Sequence, residues 1–546
     1  YPVVSPFPRR ISTGAYSSVS SPNIADVDND GKQEIFWIYE DRYETRTSYL
    51  MGFRPTGEEL FDIDGNVTTV SGFAKTPTML TGQVAFGDLA GNGEQNIVVS
   101  TWDDLYRDKN AVRCYSPFDK DGDHKPDLLW EKKIPYSMFQ SPVIANLDGS
   151  SDGTMEVVIK SHQTSDIFIL DHNGNELRRI NPNVNDGRSC NYSALTVADL
   201  DNDGQMEIIA SYDSLGIYIW RQDGTPFTTN PFWGAGILRL ASAPVVCDLN
   251  EDGKKEILFS QRQMAESHIF AISLEGDKTV AGWDGTQTIP YTVNVVGSTL
   301  VGDINNDGHL EVVILGHEMV KAWKHTGDFL FSKPINGLFP QENYAANIDA
   351  PVLADVDGDA IPDVVFCCKN FIYALHNDGS DIVVCCNNKF IYALHNDGSD
   401  ILGFPIVSAD ENFLDTPCVA DIDNDGRNEI IAGSEKDLYV WKTEGIPTAI
   451  EWGVYRGNPQ NTGEYFPTVC KPMLVNANET WDGESPCGNV VLQSGRLVIP
   501  NGKTMTLNNT SSVIVRSGTT LEVDGGNILN ARVVVQKGGT IVVKNN

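Results

Sequence analysis

An all-β fold built from repeated units is predicted by three features of this 546-residue sequence. A short acidic pattern recurs along most of the chain. Each copy follows a short apolar stretch such as "SPVIANL" and leads into a run such as "EIFWI" or "EVVIL", whose β-branched residues are typical of strands. A second turn, which ends in glycine, follows in each unit. Together these features favour antiparallel strands joined by tight turns.

The acidic pattern reads DxDxDGxxE or a close variant, and six copies are well formed. Each copy sets three oxygen-bearing side chains at alternate positions of a turn and a fourth side chain four residues later. The six sets are Asp26, Asp28, Asp30 and Glu34; Asp199, Asp201, Asp203 and Glu207; Asp248, Asn250, Asp252 and Glu256; Asp303, Asn305, Asp307 and Glu311; Asp355, Asp357, Asp359 and Asp363; and Asp421, Asp423, Asp425 and Glu429.

Three more stretches share part of this pattern. The altered copy "NLDGSSDGTME" is longer than the pattern and keeps Asn146, Asp148, Asp152 and Glu156. The more eroded copy "DLAGNGEQN" keeps as oxygen donors Asp88, Asn92 and Asn96. An extra loop inside the second repeat, "DKDGDHKPD", carries Asp119, Asp121, Asp123 and Asp127. We interpret this extra loop as a further ion-binding loop, with a plain polar turn as the alternative.

The spacing of the copies predicts a β-propeller. They start at residues 26, 88, 146, 199, 248, 303, 355 and 421, so the separations run from 49 to 66 residues, a period typical of propellers and solenoids. The two turns of each unit imply two hairpins, and hence one four-stranded blade. We predict eight blades over residues 1–466, or seven if the unit near Asp88 is an insertion. Ring closure is expected to pair "YPVVSPFP" with "AIEWGVYRG".

These repeats resemble FG-GAP/VCBS repeats, the calcium-loop blades found in integrin α-chain propellers and in many secreted bacterial proteins. The resemblance covers roughly four fifths of the chain. It implies a calcium-binding propeller of the secreted type. It also extends to a class of eight-bladed, calcium-loaded polysaccharide lyases, so it implies more about fold and metal than about activity.

Calcium chemistry accounts for the acidic pattern. Ca²⁺ takes six to eight oxygen ligands, and a tight loop can present side chains from positions one, three, five and nine and a carbonyl from position seven. A glycine at position six, such as Gly426, lets the chain turn with positive φ, whereas one loop has Ala360 there. We predict about six to eight Ca²⁺ ions. Solvated Asx turns without metal are the alternative.

Composition narrows the partners and the location. The formal net charge is -34, from 74 acidic and 40 basic residues, which argues against nucleic acid or an anionic membrane surface as the main partner. No apolar run is long enough to insert into a bilayer. The chain opens without an initiator Met or a signal peptide, so we interpret it as processed or trimmed. Its ten cysteines are compatible with an extracellular or cell-surface location, although a reduced cytosolic chain is the alternative.

The cysteines and one duplicated stretch of sequence give three further predictions. Cys470 and Cys487 flank a short polar loop and are the first pair expected to form a disulfide. The stretch "FIYALHNDGSD" occurs at 371–381 and again at 390–400, either as a recent duplication that adds a hairpin or as a flaw in the recorded sequence. The cysteines at 367, 368, 385 and 386 are not expected to bind metal, because adjacent residues of a strand point to opposite faces.

A second domain is predicted at residues 467–546. The stretches "SGRLVIPNGKTMTLNNTSSVIVR", "SGTTLEVDGGNILNARVVVQK" and "GGTIVVKNN" align as successive turns of a short β-solenoid with glycines at the corners. A small β-sandwich is the competing fold. So few turns need support from the propeller, from further chain or from a partner.

The predicted function is binding or adhesion at a surface, with a glycan or a surface protein as ligand. No GxSxG or HExxH motif occurs, and no catalytic residue is assigned. Candidate ligand contacts are the loop tryptophans Trp102, Trp233 and Trp283, since a flat ring stacks on a sugar face; local packing is their alternative role. The two competing functions are a polysaccharide lyase-like enzyme and a structural module of a larger surface assembly.

Overall fold

The computed structural model describes most of the chain. The exceptions are residues 1–6, 8, 11–16, 19, 42–46, 62–71, 103–106, 135–137, 139, 163, 183–193, 213–215, 234–242, 264–265, 275–278, 291–298, 316–318, 335–350, 369–370, 376–389, 392–405, 408–412, 435–436, 466–472, 476, 482–489, 493, 502, 507–511, 530–531, 536–537 and 545–546.

Antiparallel sheets follow one another along the chain as the blades of a propeller. The N-terminal strands β1 (Arg9–Arg10) and β2 (Ser17–Ser18) precede blade one. Blades one to four consist of β3 (Asn23–Ala25), β4 (Glu34–Asp41), β5 (Thr47–Phe53) and β6 (Ala74–Thr76); β7 (Met79–Gly87), β8 (Asn96–Trp102), β9 (Ala111–Tyr115) and β10 (Leu128–Lys133); β11 (Val143–Ala145), β12 (Glu156–Lys160), β13 (Ile167–Leu170) and β14 (Glu176–Ile180); and β15 (Thr196–Ala198), β16 (Glu207–Tyr212) and β17 (Gly216–Trp220).

The remaining four blades repeat this arrangement. Blades five to eight consist of β18 (Val245–Cys247), β19 (Glu256–Gln263), β20 (Glu266–Ser273) and β21 (Thr279–Pro290); β22 (Thr299–Gly302), β23 (Glu311–Leu315), β24 (Met319–Lys324) and β25 (Phe329–Pro334); β26 (Val352–Ala354), β27 (Asp363–Cys368) and β28 (Phe371–Leu375); and, after the pair β29 (Phe390–Ile391) and β30 (Ile406–Val407), β31 (Phe413–Ala420), β32 (Glu429–Ser434) and β33 (Asp437–Lys442). Eight blades are therefore present in the described chain, and the alternative of seven is wrong.

The blades pack against one another through their most apolar strands. Strand β12 is buried at all five positions, and so is β23, because each blade is covered by a neighbour on both faces. One cluster of buried side chains joins blades three and four, and another joins blades five, six and seven. Each blade thus buries much of its apolar surface against its neighbours, as expected for a repeat fold.

Ring closure joins blade one to blade eight. Strand β1 pairs with β33, with Arg9 opposite Leu438, and the buried Phe7 packs in the cluster shared by blades one and eight. The predicted pairing partner of the N-terminal strand is therefore corrected. Strand β1 completes blade eight by pairing with residues 437–438 of β33. The stretch "AIEWGVYRG" lies elsewhere.

That stretch belongs to a hub segment, which we define as residues 449–465. It contains β34 (Ile450–Trp452), and short 3-10 helices span Pro447–Ala449 and Tyr455–Gly457; another lies in blade two at Arg107–Lys109. The hub segment accepts backbone hydrogen bonds from the first strands of six blades. The donor and acceptor pairs are Asp355 to Ala449, Val419 to Gly453, Phe86 to Pro459, Ile144 to Gln460, Val197 to Thr462 and Val246 to Gly463. The inner edges of these blades are therefore tied to one continuous piece of chain.

Residues beyond the hub form a second all-β unit. Its strands pair in parallel: β35 (Met473–Val475), β37 (Val490–Leu492), β40 (Ser512–Val515) and β43 (Arg532–Val535) form one sheet, β36 (Glu479–Thr480), β38 (Arg496–Pro500), β41 (Thr520–Asp524) and β44 (Thr540–Lys544) a second, and β39 (Thr504–Thr506) pairs with β42 (Asn527–Leu529). Parallel stacking of successive coils is the arrangement of a β-solenoid. It is not the antiparallel pairing of the competing sandwich.

Some predictions fall outside the described residues. Cys385, Cys386, Cys470 and Cys487 lie there, as does most of the duplicated stretch, so the disulfide and the origin of the duplication stay predictions. The boundary between residues 466 and 467 also falls within this part of the chain. Among the helices that the structure does describe, none combines the length and the apolar character needed to cross a membrane.

Candidate metal loops

Each well-formed acidic loop joins the first strand of its blade to the second. In blade eight, Asp421 follows β31 and Glu429 begins β32, and the pairing of Ala420 with Glu429 brings the two ends of the loop together. Blade one is the same, with Ala25 opposite Glu34. Antiparallel pairing thus places the first and the ninth residues of each loop side by side.

The first aspartate of the loop fixes the turn by accepting backbone hydrogen bonds. Asp199 Oδ1 accepts from the amide of Asp203 at 3.0 Å, and Oδ2 accepts from the amide of Gly204 at 2.9 Å. Gly204 has a φ of 89°, which a glycine adopts without steric cost. The same pair of bonds occurs in the loops that begin at Asp26, Asp248, Asp303 and Asp421.

The ninth residue is buried and only half satisfied. Glu34 is 0% exposed, and its Oε2 accepts a hydrogen bond from the amide of Val27 at 3.1 Å. Its second oxygen, Oε1, is buried and accepts no hydrogen bond. A buried carboxylate oxygen without a partner is costly unless a cation meets it. Glu34 Oε1 is therefore an oxygen that could act as a cation ligand in the loop.

Burial and like charges raise the pKa of the carboxylates at the ninth position of the loops. Burial, reinforced by the negative charges of Asp28 and Asp30, raises the pKa of Glu34 to about 7. Burial likewise raises the pKa of the other ninth-position glutamates, to about 7 for Glu207 and Glu256 and about 8 for Glu311 and Glu429. Such shifts arise where carboxylates are crowded and desolvated without a compensating charge.

The carboxylates converge in five groups among the residues that the structure describes. In each group the ligand atoms lie within 4.8 Å of one another. The groups are Asp26, Asp28 and Glu34; Asp119, Asp121 and Asp127; Asp199, Asp201 and Asp203; Asp355, Asp357 and Asp359; and Asp421, Asp423 and Asp425. Clustered hard oxygen donors on a flexible turn fit Ca²⁺. The group at Asp119 lies in the turn between β9 and β10, where the extra loop was predicted.

Two loops replace the third-position aspartate by asparagine. Asn305 donates from Nδ2 to Glu311 Oε1 at 2.9 Å, and Asn250 is 3.4 Å from Glu256 Oε1 in the same arrangement. In both loops the asparagine side-chain amide therefore bonds to Oε1 of the ninth-position glutamate, the same oxygen that accepts no hydrogen bond in Glu34. Each of these asparagines also presents a carbonyl oxygen, so the loops at Asp248 and Asp303 keep a donor at every predicted position.

The loop that begins at Asp355 departs from the pattern at position six. Ala360 adopts a φ of 66° there, so an alanine takes the left-handed turn that glycine takes elsewhere. Its amide donates to Asp355 Oδ2 at 3.0 Å, which preserves the frame. Burial and the neighbouring aspartates raise the pKa of Asp355 and of Asp363 well above the usual range. The departure therefore leaves the loop intact.

The two altered loops keep the frame but not the full donor set. In the loop at residues 88–96, Asn96 Oδ1 accepts from the amide of Leu89 at 3.3 Å, as the ninth-position glutamates do elsewhere. Lys120 Nζ lies 2.6 Å from Glu94 of this loop. In the loop at 146–156, Glu156 Oε2 accepts from the amide of Leu147 at 2.9 Å, and the remaining predicted donors are Asn146, Asp148 and Asp152.

Basic residues beside the loops were not predicted. Arg54 Nη1 lies 2.8 Å from Asp28, and Lys442 Nζ lies between Asp423 and Asp425. Lys442 is the cross-strand neighbour of Glu429. In the sequence Lys442 appears only as part of "WK" before a turn that contains glycine. Which loop the lysine contacts depends on the strand register, which this local pattern does not give.

The three candidate tryptophans have different surroundings. Trp283 is 0% exposed and donates from Nε1 to the carbonyl of His325 at 2.6 Å, so its expected ligand contact is corrected to packing. It lies within strand β21 and not in the predicted loop. Gly282 and Gly285 on either side of it have positive φ, and the pairing of β21 with β20 is irregular in this stretch. Trp233 is partly buried against Phe259 and Phe270. Trp102 ends β8 and is partly buried.

One stretch of the chain matches a model of a known repeat family. Residues 303–366 match the family model of the FG-GAP-like repeat. The matched part contains the loops at Asp303 and Asp355, and an eight-bladed propeller fits that family. A search of curated proteins finds no match to the chain.

Solved structures share the fold at low sequence identity. The exotype rhamnogalacturonan lyase YesX has a TM-score of 0.50 and 15% identity, over 83% of this chain and 77% of its own. The rhamnogalacturonan lyase YesW has a TM-score of 0.50 and 15% identity, over 85% of this chain and 80% of its own. At this identity the likeness concerns the fold and not the activity.

Proposed function

We propose that the protein is an extracellular, calcium-stabilised propeller that binds a polysaccharide. The observation that carries the calcium part is Glu34 Oε1, a buried carboxylate oxygen without a hydrogen bond in a loop of convergent aspartates. Calcium would supply positive charge there and hold the first two strands of the blade together. Its ligands would be the loop residues predicted from the sequence.

Support for a polysaccharide ligand comes from the fold. Two proteins with the same fold are named as rhamnogalacturonan lyases, so rhamnogalacturonan is the first polymer to test. With a formal net charge of -34, this chain repels an acidic polymer unless cations reduce that charge. Binding to an acidic polysaccharide should therefore require calcium.

Lyase activity is the second candidate, and the same structural likeness favours it. Eliminative cleavage of a uronic acid polymer needs an accessible base close to a cation. Within the described residues, Lys160 lies 5.3 Å above the ring of Tyr212, but both residues are only 1% exposed. A polymer cannot reach this pair, so it is not assigned as the base of a lyase.

The test is a binding assay with rhamnogalacturonan in calcium and in chelator, followed by measurement of polymer length. Binding in calcium alone with intact polymer supports the proposal. Shortened polymer with new unsaturated ends would replace it by the lyase function. Absence of binding to rhamnogalacturonan and to a panel of surface polysaccharides would overturn the polysaccharide part and favour a protein ligand.

A further inference from the structure

One acidic loop already contains a positive charge supplied by the chain itself. Lys442 Nζ lies 2.6 Å from Asp425 Oδ2 and 2.9 Å from Asp423 Oδ2. It also lies 3.9 Å from Glu429 Oε1, the counterpart of the unpaired oxygen of Glu34. The ammonium therefore contacts the side chains at positions three, five and nine, the same set that would bind a cation.

Strand geometry directs Lys442 into the loop. It lies directly opposite Glu429 in the pairing of β33 with β32. The residue before it, Trp441, is 0% exposed and stacks on Tyr439 with ring centroids 5.2 Å apart. Because this strand is held by packing, the lysine side chain extends over the loop of its own blade.

Equivalent positions in other blades contact less of the loop. In blade one, Arg54 makes a single ion contact, with Asp28 at 2.8 Å. Lys324 lies opposite Glu311 in blade six and is exposed. Arg221 follows Trp220 in blade four and donates to the carbonyl oxygens of Pro226 at 3.5 Å and Phe227 at 3.3 Å. Lys324 and Arg221 provide internal comparisons, since a basic residue at the same place does not by itself enter the loop.

We propose that Lys442 is a tethered cation that competes with calcium in the loop Asp421–Glu429. This inference rests on the proposed function, in that it takes the loops of other blades to bind calcium. Two positive charges cannot share one set of carboxylates, so calcium enters only when the ammonium leaves and loses its ion contacts. Blade eight, which closes the ring with β1, is thereby held without metal, and its loop binds calcium more weakly than the other well-formed loops.

A lysine also lies beside the eroded loop of blade two, where it contacts position seven and not the predicted donors. Ala90 and Asn96 stand where the pattern has carboxylates, and Lys120 Nζ pairs with Glu94 Oε2 at 2.6 Å. A lysine therefore accompanies a loop that has lost part of its donor set. In blade eight the donor set is complete, so removal of the lysine should expose a working calcium loop.

The test compares Lys442→Met with Lys324→Met and Lys442→Arg in the full chain. Bound calcium is counted by equilibrium dialysis with metal analysis at a concentration that leaves the weakest wild-type loop empty. K442M should bind one more ion per chain than wild type, with affinity at that loop increased on the order of tenfold. K324M and K442R should bind the wild-type number.

Melting in chelator provides a second readout. K442M should melt at a lower temperature than wild type in chelator, because the carboxylates lose the ion contacts that Lys442 makes, and calcium should restore it. Equal calcium binding by wild type and K442M would overturn the role of Lys442 while leaving the calcium proposal intact. Absence of calcium from both proteins would overturn both.

Discussion

At the residue scale, one oxygen atom distinguishes an ion-binding loop from a polar turn. The first aspartate of each loop accepts hydrogen bonds from backbone amides, as Asp199 does from Asp203 and Gly204. Such bonds would form in any Asx turn. Glu34 is different because it is buried and its Oε1 accepts no hydrogen bond. The sequence pattern predicted its position, whereas its burial follows only from the packing of the blade.

Replacement of Glu34 by glutamine tests this oxygen. The amide oxygen can still accept from Val27, but the negative charge is lost, so bound calcium should fall by one ion per chain. In chelator at pH 8 the variant should melt no lower than wild type, because a buried charge has been removed. The exposed Glu58→Gln is the control, and unchanged calcium binding by Glu34→Gln would contradict the assignment.

Replacement of Asp421 by alanine tests the backbone hydrogen bonds that hold the turn, and not the charge of the buried glutamate. Asp421 accepts from the amides of Asp425 and Gly426 at 2.9 and 2.8 Å, so its loss leaves two donors unpaired with or without metal. We expect a loss of about 1–3 kcal/mol in the free energy of unfolding even in chelator. Denaturant titration measures this loss, and an unchanged midpoint would show that the turn does not depend on this side chain.

At the scale of elements, the hub segment is the feature that sequence reasoning missed. It accepts backbone hydrogen bonds from six different blades, and neither periodicity nor motif spacing signals these contacts. Within it, Arg456 is 2% exposed and donates to the carbonyl oxygens of Pro244 and Leu195 at 3.0 Å each. Burial lowers the pKa of Arg456 to about 10. This residue ties the hub segment to the inner edges of blades four and five.

Replacement of Arg456 by methionine should destabilise the ring. The change removes the buried hydrogen bonds of Arg456 to the carbonyl oxygens of Pro244 and Leu195 and to Thr196 Oγ1, which costs about 2–4 kcal/mol in the free energy of unfolding. The partly exposed Arg427→Met should cost no more than about 0.5 kcal/mol. Equal stability of the two variants in denaturant would show that the hub segment contributes little to ring closure.

Register explains which side-chain roles could be predicted from sequence and which could not. Residues within one acidic loop are neighbours in sequence, so their convergence at Asp199, Asp201 and Asp203 follows from spacing alone. Lys442 meets its loop through cross-strand pairing, and Trp283 is buried because a glycine-containing stretch continues as a strand. Both depend on contacts between segments that the local pattern does not specify.

At the scale of the whole molecule, the acidic loops link stability to pH when calcium is absent. The buried glutamates have folded-state pKa values of about 7 to 8, above the ordinary 4.5. A raised pKa gives stability that is fully present below pH 4.5 and is lost as the pH rises through the folded value. In chelator the melting temperature should therefore fall between pH 5 and pH 8.

Calcium should remove this fall, because it binds the ionised carboxylates and stabilises the folded state by mass action. The measurement is a set of melting curves at matched ionic strength, with calcium or with chelator at each pH. A melting temperature that rises with pH in chelator would contradict the account of the buried glutamates.

The central claim is that the acidic loops bind calcium, and a direct count on the wild-type protein tests it. The chain is stripped with chelator, dialysed against calcium and analysed for metal and protein. The account predicts about six calcium ions per chain, with a higher melting temperature in the loaded form. A chain that retains no calcium and melts at the same temperature in chelator would contradict it.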